Sequence, residues 1–147
     1  MSYVQSYYHI VFSVKERLPI LQQDIREDVY KYIWGICKNK RCYLYRIGGV
    51  EDHIHMLVNL HPSISVADFI RDVKTSTTAW IKSENIVLKF PGWQSEYAAI
   101  SKSFDELQVV TEYIKNQEEH HKIITWKEEL ITLFDRAGID YKKEFLK

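Results

Sequence analysis

The alternation of apolar and polar residues along the chain predicts a mixture of strands and helices. Runs rich in Val, Ile, Tyr and Phe predict four strands, at residues 3–14, 42–47, 50–60 and 93–101. Apolar residues that recur at intervals of three and four predict four helices, at residues 21–39, 66–81, 104–119 and 125–137. Gly48-Gly49 and Pro91-Gly92 are typical of turns between these elements.

The order of these elements indicates the fold class. Strand, helix, strand, strand, helix, strand and helix is the order of an α+β, ferredoxin-like (RRM-like) fold, in which helices cover one face of a four-stranded antiparallel sheet. The first and third strands lie at the centre of such a sheet. Because no repeat or low-complexity linker interrupts the chain, we expect one domain over residues 1–147, with a helical C-terminal tail from about residue 125.

Composition excludes several classes of protein. The chain has 20 basic and 20 acidic residues, so charge alone does not indicate a generic DNA-binding protein. Cys37 and Cys42 lack the spacing of a cysteine zinc site. No apolar run reaches the roughly 18 residues of a membrane span. With no signal-like segment at the start, these features favour a cytoplasmic protein and no membrane partner.

Two histidines lie on the predicted third strand. His53 and His55 are two residues apart, so a strand projects both imidazoles from the same face. Neighbouring imidazoles on a rigid strand are half of a metal site, although two ordinary strand-end histidines would give the same short pattern. Asp52 precedes the pair and is placed to orient an imidazole, but turn geometry would also explain it.

A tyrosine and a glutamine share one flank of the third predicted helix. Ser103 and Glu106 form a capping-box pattern at its start. Tyr113 lies away from the apolar stripe of the helix, and Gln117 follows one turn later on the same side. Exposure to solvent on the flank of the helix is the ordinary explanation for such a tyrosine. The pattern indicates a functional site only because it occurs in the same chain as the two strand histidines.

The chain resembles the single-tyrosine, HUH-type transposases of the smallest bacterial insertion sequences. Residues 51–58 resemble the His-hydrophobic-His strand of that family, and residues 113–117 resemble its catalytic helix. Further similarity lies in residues 8–17, 69–76, 93–97 and 126–146. The resemblance therefore extends over nearly the whole chain.

This resemblance implies an activity and a site. Tyr113 would attack the scissile phosphate and leave a 5′-phosphotyrosine and a free 3′-hydroxyl. His53, His55 and Gln117 would hold a divalent metal, Mg²⁺ or Mn²⁺. The DNA would be single-stranded, with hairpins at the ends of the element. The protein would be a homodimer with active sites assembled within one chain or in trans, and Tyr113 would reach either site.

Other polar residues carry weaker expectations. We expect phosphate or hairpin contacts from four basic residues, although a solvated charged face explains each of them equally well: Lys15, Arg17, Arg71 and Lys74. His120 and His121 follow the catalytic helix, where a role at the helix end, opposite its dipole, is favoured over a metal contact.

Three alternatives stay open from the sequence. A small zinc hydrolase would need a third His, Asp or Glu ligand and would give Tyr113 no role. A non-catalytic RRM-like module would stack bases on sheet aromatics such as Tyr7, Phe12, Tyr43 and Tyr45. A domesticated relative would process genomic repeat hairpins without transposing.

Overall fold

Four antiparallel strands form one sheet in the computed structural model, which describes residues 2–142. The strands are β1 (Tyr7–Ser13), β2 (Tyr43–Gly49), β3 (His53–Asn59) and β4 (Ala98–Lys102). Their order across the sheet is β2-β3-β1-β4, so β1 and β3 are central, as the sequence predicts. The predicted α+β, ferredoxin-like architecture is therefore confirmed.

Five α-helices accompany the sheet in the described residues. They are α1 (Gln23–Asn39), α2 (Val66–Ser83), α3 (Leu107–Lys115), α4 (Gln117–His120) and α5 (Trp126–Ala137). Ser65 caps α2 and Thr125 caps α5, each through a side-chain oxygen that accepts a backbone N–H. The predicted capping box of Ser103 and Glu106 is present. α5 ends at Gly138, which has a φ of 69°.

Helices cover both faces of the sheet, whereas the sequence predicts helices on one face. The residues facing α1 and α2 form the main core with side chains of those helices: Ile10, Phe12, Ile54, Met56 and Val58. On the opposite face, Leu57 packs against α3 and Val11 packs against α5. The expectation was wrong because the C-terminal helices return across the second face and bury it.

The predicted Gly48-Gly49 turn is wrong, because both residues belong to β2. Gly48 pairs with His55 and Gly49 pairs with Ile54. A side chain at Gly48 would place its Cβ 2.7 Å from the carbonyl oxygen of Ile114. Glycine therefore allows α3 to lie directly against the sheet beside His55, a close approach that requires the missing side chain.

The fourth strand is shorter than predicted. Only an isolated bridge links Trp93 to Val14, and β4 begins at Ala98. The carbonyl oxygens of residues 94–96 accept hydrogen bonds from Lys74 Nζ, at 2.7, 3.3 and 3.3 Å. These three successive carbonyl groups accept from one ammonium group instead of from the backbone of a neighbouring strand. The segment is therefore not part of the sheet.

The predicted helix at residues 104–119 is divided into three parts. A 3₁₀ turn at Phe104–Glu106 precedes α3, and the single residue Asn116 separates α3 from α4. Within residues 2–142, no helix is both long enough and apolar enough to cross a membrane. Residues 143–147 of the predicted tail lie outside the described residues.

Candidate metal centre and nucleophile

The two strand histidines lie side by side in the interior. His53 and His55 are fully buried on β3, and their ring centroids are 5.2 Å apart. The same sheet face carries Leu57 and Val11, so helices α3 to α5 enclose the imidazoles. The strand thus places two nitrogen ligands together, as the spacing of the residues predicts.

A buried carboxylate from α5 completes this cluster. Glu129 Oε1 lies 3.2 Å from His55 Nε2, 3.4 Å from His53 Nε2 and 3.0 Å from His121 Nε2. Sequence reasoning missed Glu129. The signal was its place in α5, where it shares the buried side of the helix with Leu130. An acidic residue at a core position of an amphipathic helix is seldom buried without partners.

Three side chains from the helices contact the second carboxylate oxygen of Glu129, Oε2. Tyr113 donates a short hydrogen bond from its hydroxyl to Oε2. Gln117 Nε2 donates to the same oxygen at 2.8 Å, and His120 Nε2 lies 3.2 Å from it. His120 and His121 therefore contact a carboxylate, whereas the sequence favoured a role at the helix end for both.

The structure brings Tyr113 and Gln117 to the histidines. Tyr113 is half-buried, and its ring centroid lies 5.7 Å from that of His55, so it does not lie on a solvated flank. Gln117 is buried, and its Oε1 lies 3.3 Å from His53 Nε2. One cluster thus contains the predicted nucleophile and the three predicted ligands.

Each imidazole also has a partner on its other nitrogen. Asp52 Oδ1 lies 2.7 Å from His53 Nδ1, the contact expected of a carboxylate that orients an imidazole. His9 Nε2 lies 2.8 Å from His55 Nδ1. Trp126 stacks on His53, with ring centroids 3.9 Å apart and planes 14° from parallel. Both Nε2 atoms consequently face the inside of the cluster.

The donor atoms fit one divalent ion. One ligand atom each from His53, His55 and Glu129 lies within 4.8 Å of the others. Ligand bonds of about 2.1 Å separate neighbouring donors by about 3.0 to 3.4 Å. The distances from Glu129 Oε1 to His55 Nε2 and His53 Nε2, 3.2 and 3.4 Å, agree with this spacing. The Oε1 of Gln117 is a fourth donor atom at this place. The donors are imidazole nitrogens with carboxylate and amide oxygens, a mixed set that can hold several divalent ions, and no cysteine takes part.

Burial and charge set the protonation of the cluster. Burial lowers the pKa of His55 to about 4. Burial also acts to lower the pKa of His53, but its hydrogen bonds with Asp52 and Glu129 outweigh that effect and raise the pKa. Burial, and then the negative charge of Glu129, raises the pKa of Tyr113 well above its usual value near 10.

The carboxylate itself stays ionised. Burial acts to raise the pKa of Glu129, but hydrogen bonds from His121, His53 and His55 together hold the pKa below its usual range. A buried anion therefore lies beside the tyrosine hydroxyl and opposes formation of a tyrosinate.

Two of the predicted DNA-contact residues lie far from this cluster, on α2. Arg71 is exposed and forms ion pairs with Asp68 at 3.1 Å and with Asp72 at 3.3 Å. Lys74 is occupied by the backbone carbonyls of residues 94–96. Since α2 covers the opposite face of the sheet, the structure does not bring either residue to the metal centre.

The other two predicted DNA-contact residues lie just after β1. Lys15 is exposed, and Arg17 lines a small cleft of about 150 Å³ that Trp126 also borders. The backbone N–H of Val14 donates to the carbonyl of Asp52 at 2.8 Å, which brings this segment near His53. Lys15 and Arg17 are therefore on the same side of the molecule as the site.

The sheet aromatics do not form a base-stacking platform. Phe12 is buried in the main core against Trp93, and Tyr7 is buried beneath α3. Only Tyr43 and Tyr45, on the edge strand β2, are exposed. The RRM-like alternative, which requires open aromatics on the central strands, is not supported.

Comparison with known proteins identifies the family. The family described as "Transposase IS200 like" matches residues 2–117. The chain belongs to this family. The resemblance inferred from the sequence is thereby confirmed, and the matched region includes both strand histidines, Tyr113 and Gln117. The α5 residue Glu129 lies beyond it.

Individual relatives agree with this family. The chain is 28% identical over 123 residues to the transposases for insertion sequence element IS200 from Salmonella typhimurium strain LT2 and from Salmonella typhi. Each alignment covers 79% of this chain and 79% of the relative.

Two solved structures share the fold. A crystal structure of a candidate transposase from Deinococcus radiodurans R1 matches with a TM-score of 0.65 and 22% identity, over 80% of this chain and 95% of the other. A REP-associated tyrosine transposase bound to a REP hairpin matches with a TM-score of 0.64 and 13% identity, over 84% and 73%. IS200-like transposases act in DNA recombination, so the chain is a member of a DNA-processing enzyme family.

Proposed function

We propose that this IS200-like transposase cleaves and rejoins single-stranded DNA through a phosphotyrosine intermediate on Tyr113. The observation that carries the proposal is the meeting of Tyr113 with His53, His55 and Gln117 around Glu129. In the cleavage step, the hydroxyl of Tyr113 gives up its proton to solvent and its oxygen forms a bond to phosphorus, while the bond from phosphorus to the 3′ oxygen breaks and that oxygen takes up a proton. The products are a 5′-phosphotyrosine and a free 3′-hydroxyl, and the stored bond permits rejoining.

The electrostatics of the cluster support metal dependence. Tyr113 is a weak nucleophile while its hydroxyl faces the anionic Glu129, because burial, and then that negative charge, raise the pKa of the hydroxyl. A divalent ion held by His53, His55, Glu129 and Gln117 would neutralise this charge and polarise a phosphoryl oxygen. Gln117 and Glu129 keep the tyrosine hydroxyl next to the ligand atoms, so attack and charge stabilisation take place at one position.

We further propose that the substrate carries hairpins at the ends of the mobile element. The hairpin-bound neighbour shares the fold over 84% of this chain, which supports this substrate class. The same similarity favours a second candidate function, processing of genomic repeat hairpins by a domesticated relative. The DNA that flanks the gene distinguishes the two, since a mobile element has matching hairpin ends on both sides.

A zinc hydrolase is the remaining alternative. It calls for a third ligand, and Glu129 meets that requirement. It gives Tyr113 no role, however, although the tyrosine hydroxyl contacts the ligand carboxylate directly. Membership of the IS200-like transposase family also favours strand transfer over hydrolysis.

We also propose a homodimer that pairs through the outer edge of β2. This strand pairs with β3 on one side only, and its Tyr43 and Tyr45 side chains are exposed.

Within one chain, Tyr113 already contacts Glu129 beside His55, so the geometry supports assembly of the site in cis. A mixture of Tyr113→Phe and His53→Ala protomers should then stay inactive. Recovery of cleavage by the mixture would contradict cis assembly and indicate assembly in trans.

The proposed reaction is tested with single-stranded DNA that carries the ends flanking the gene. We expect a protein–DNA adduct on a denaturing gel in the presence of Mn²⁺, and no adduct from Tyr113→Phe, which lacks one oxygen. Tyr32→Phe is the matched control, because Tyr32 stacks on Trp80 away from the site. An adduct of normal yield from Tyr113→Phe would rule out Tyr113 as the nucleophile.

A further inference from the structure

A buried histidine on the central strand β1 has no role in the site described so far. His9 lies opposite Leu57 in the pairing of β1 with β3, next to the pair of Val11 with His55. Its ring is buried and stacks on that of His55, with centroids 5.1 Å apart and planes 29° from parallel. The two rings are joined by the 2.8 Å contact between His9 Nε2 and His55 Nδ1.

The position of the proton in this contact determines whether Nε2 of His55 has a lone pair available for a metal ion. A contact between two imidazole nitrogens holds a single proton, so one ring donates and the other accepts. If His9 donates, the neutral ring of His55 carries its own proton on Nε2 and donates it to Glu129, 3.2 Å away. If His55 donates from Nδ1, its Nε2 has a free lone pair that faces the ligand atoms.

The two ligand histidines have different partners. His53 faces the carboxylate of Asp52, which can only accept a hydrogen bond and so requires a proton on Nδ1 of His53. His55 faces an imidazole, which can donate or accept.

We propose that His9 is a positioning residue whose Nε2 accepts the Nδ1–H of His55 and so leaves the Nε2 lone pair of His55 free for the ion. This inference rests on the proposed metal site. It assigns to β1 the task that Asp52 performs for His53, and it explains why a polar ring occupies a position among the apolar residues of the sheet. Hydrogen-bond partners of this kind fix the tautomer and the orientation of metal-binding imidazoles.

The tautomers of His9 and His55 can be measured directly in the Mg²⁺-loaded protein. Long-range ¹H–¹⁵N correlation spectra distinguish a proton on Nδ1 from one on Nε2. With the ion on Nε2 of His55, we expect a proton on Nδ1 of His55 and, in His9, a proton on Nδ1 that leaves Nε2 free to accept. A His9 that carries its proton on Nε2 in the loaded protein would overturn the inference.

Metal affinity provides the second readout. In calorimetric titrations with Mn²⁺, we expect His9→Phe to weaken binding about 10- to 100-fold. His9→Gln should stay within a few-fold of the wild type, because its amide oxygen can accept from the same position, and it also serves if the Phe variant does not fold. The matched control is His61→Phe, at a histidine whose Nδ1 contacts Ser63 outside the site.

The outcomes separate this inference from the proposed function. Wild-type Mn²⁺ affinity in folded His9→Phe would overturn the positioning role alone, because the metal site would still be present. A wild-type protein that binds neither Mg²⁺ nor Mn²⁺ would contradict the metal site itself, on which this inference rests.

Discussion

The candidate site joins two regions that the chain holds in different ways. His53 and His55 lie on β3, which forms hydrogen bonds with β1 on one side and β2 on the other. Tyr113, Gln117 and Glu129 come from three helices, two of which are separated by a single residue. The backbone ladder fixes the sheet side, whereas apolar packing against the sheet and side-chain contacts to one carboxylate hold the helical side. Loss of a sheet ligand should therefore remove the ion, and loss of Glu129 should also loosen the helices around it.

The range of residues that matches the family places one part of the site inside the matched region and another part outside it. It extends from residue 2 to residue 117, and so includes the sheet, α3 and the first residue of α4. Glu129 and the ring of Trp126 that covers His53 belong to α5, outside the match. The matched region therefore contains the histidines, the tyrosine and the glutamine, and α5 adds a charged group to the site from outside that region.

The largest effect is expected from removal of a sheet ligand. His53→Ala should weaken Mn²⁺ binding by on the order of 100-fold or more and abolish adduct formation, because the loss of a ligand exceeds the loss of its orienting partner. Hairpin binding in a gel-shift assay should remain. His61→Ala is the matched control. Normal cleavage by His53→Ala with Mn²⁺ present would show that the sheet does not supply the ion site.

A smaller effect, on two properties at once, is expected from the helical side. Glu129→Gln keeps the size of the side chain but removes its charge, so we expect roughly 10-fold weaker Mn²⁺ binding together with a lower pKa for Tyr113. Calorimetry measures the binding, and ultraviolet titration measures the tyrosine. Glu128→Gln, at the neighbouring exposed position, is the control. An unchanged affinity and an unchanged tyrosine titration would remove Glu129 from the site.

The smallest effect concerns pH. Mn²⁺ affinity should fall as the pH decreases, because a protonated imidazole cannot bind metal. His53 should protonate first, since Asp52 and Glu129 raise its pKa while burial lowers that of His55 to about 4. Asp52→Asn removes one of the groups that raise the pKa, so the loss of affinity should move to lower pH. Identical profiles for Asp52→Asn and an exposed control, Asp68→Asn, would contradict this effect.

The sheet side of the site could be predicted from the sequence because its signals are local. The two-residue spacing of His53 and His55 determines which face of a strand they occupy, whatever the rest of the fold. Tyr113 and Gln117 follow from helical periodicity in the same way. The family resemblance then linked these two local patterns, which are 58 positions apart between His55 and Tyr113.

The features that escaped prediction depend on contacts across the fold. Gly48 resembles a turn residue in sequence, but it lies in β2, where the close approach of Ile114 requires a residue without a side chain. The contacts of Lys74 with the carbonyls of residues 94–96 likewise depend on a segment 20 to 22 positions away, whereas its predicted DNA contact stays a prediction. Glu129 required knowledge that α5 returns across the second face of the sheet, although its position in the buried stripe of α5 was a readable signal.

The claim that sheet and helices together hold one ion beside Tyr113 is tested most directly by anomalous diffraction from crystals grown with Mn²⁺. We expect one strong peak within about 2.3 Å of His53 Nε2, His55 Nε2 and a Glu129 oxygen, with Gln117 Oε1 alongside. The same crystals of Glu129→Gln should show a weaker peak in the same place. A peak bound elsewhere, or no peak at saturating Mn²⁺, would contradict the account.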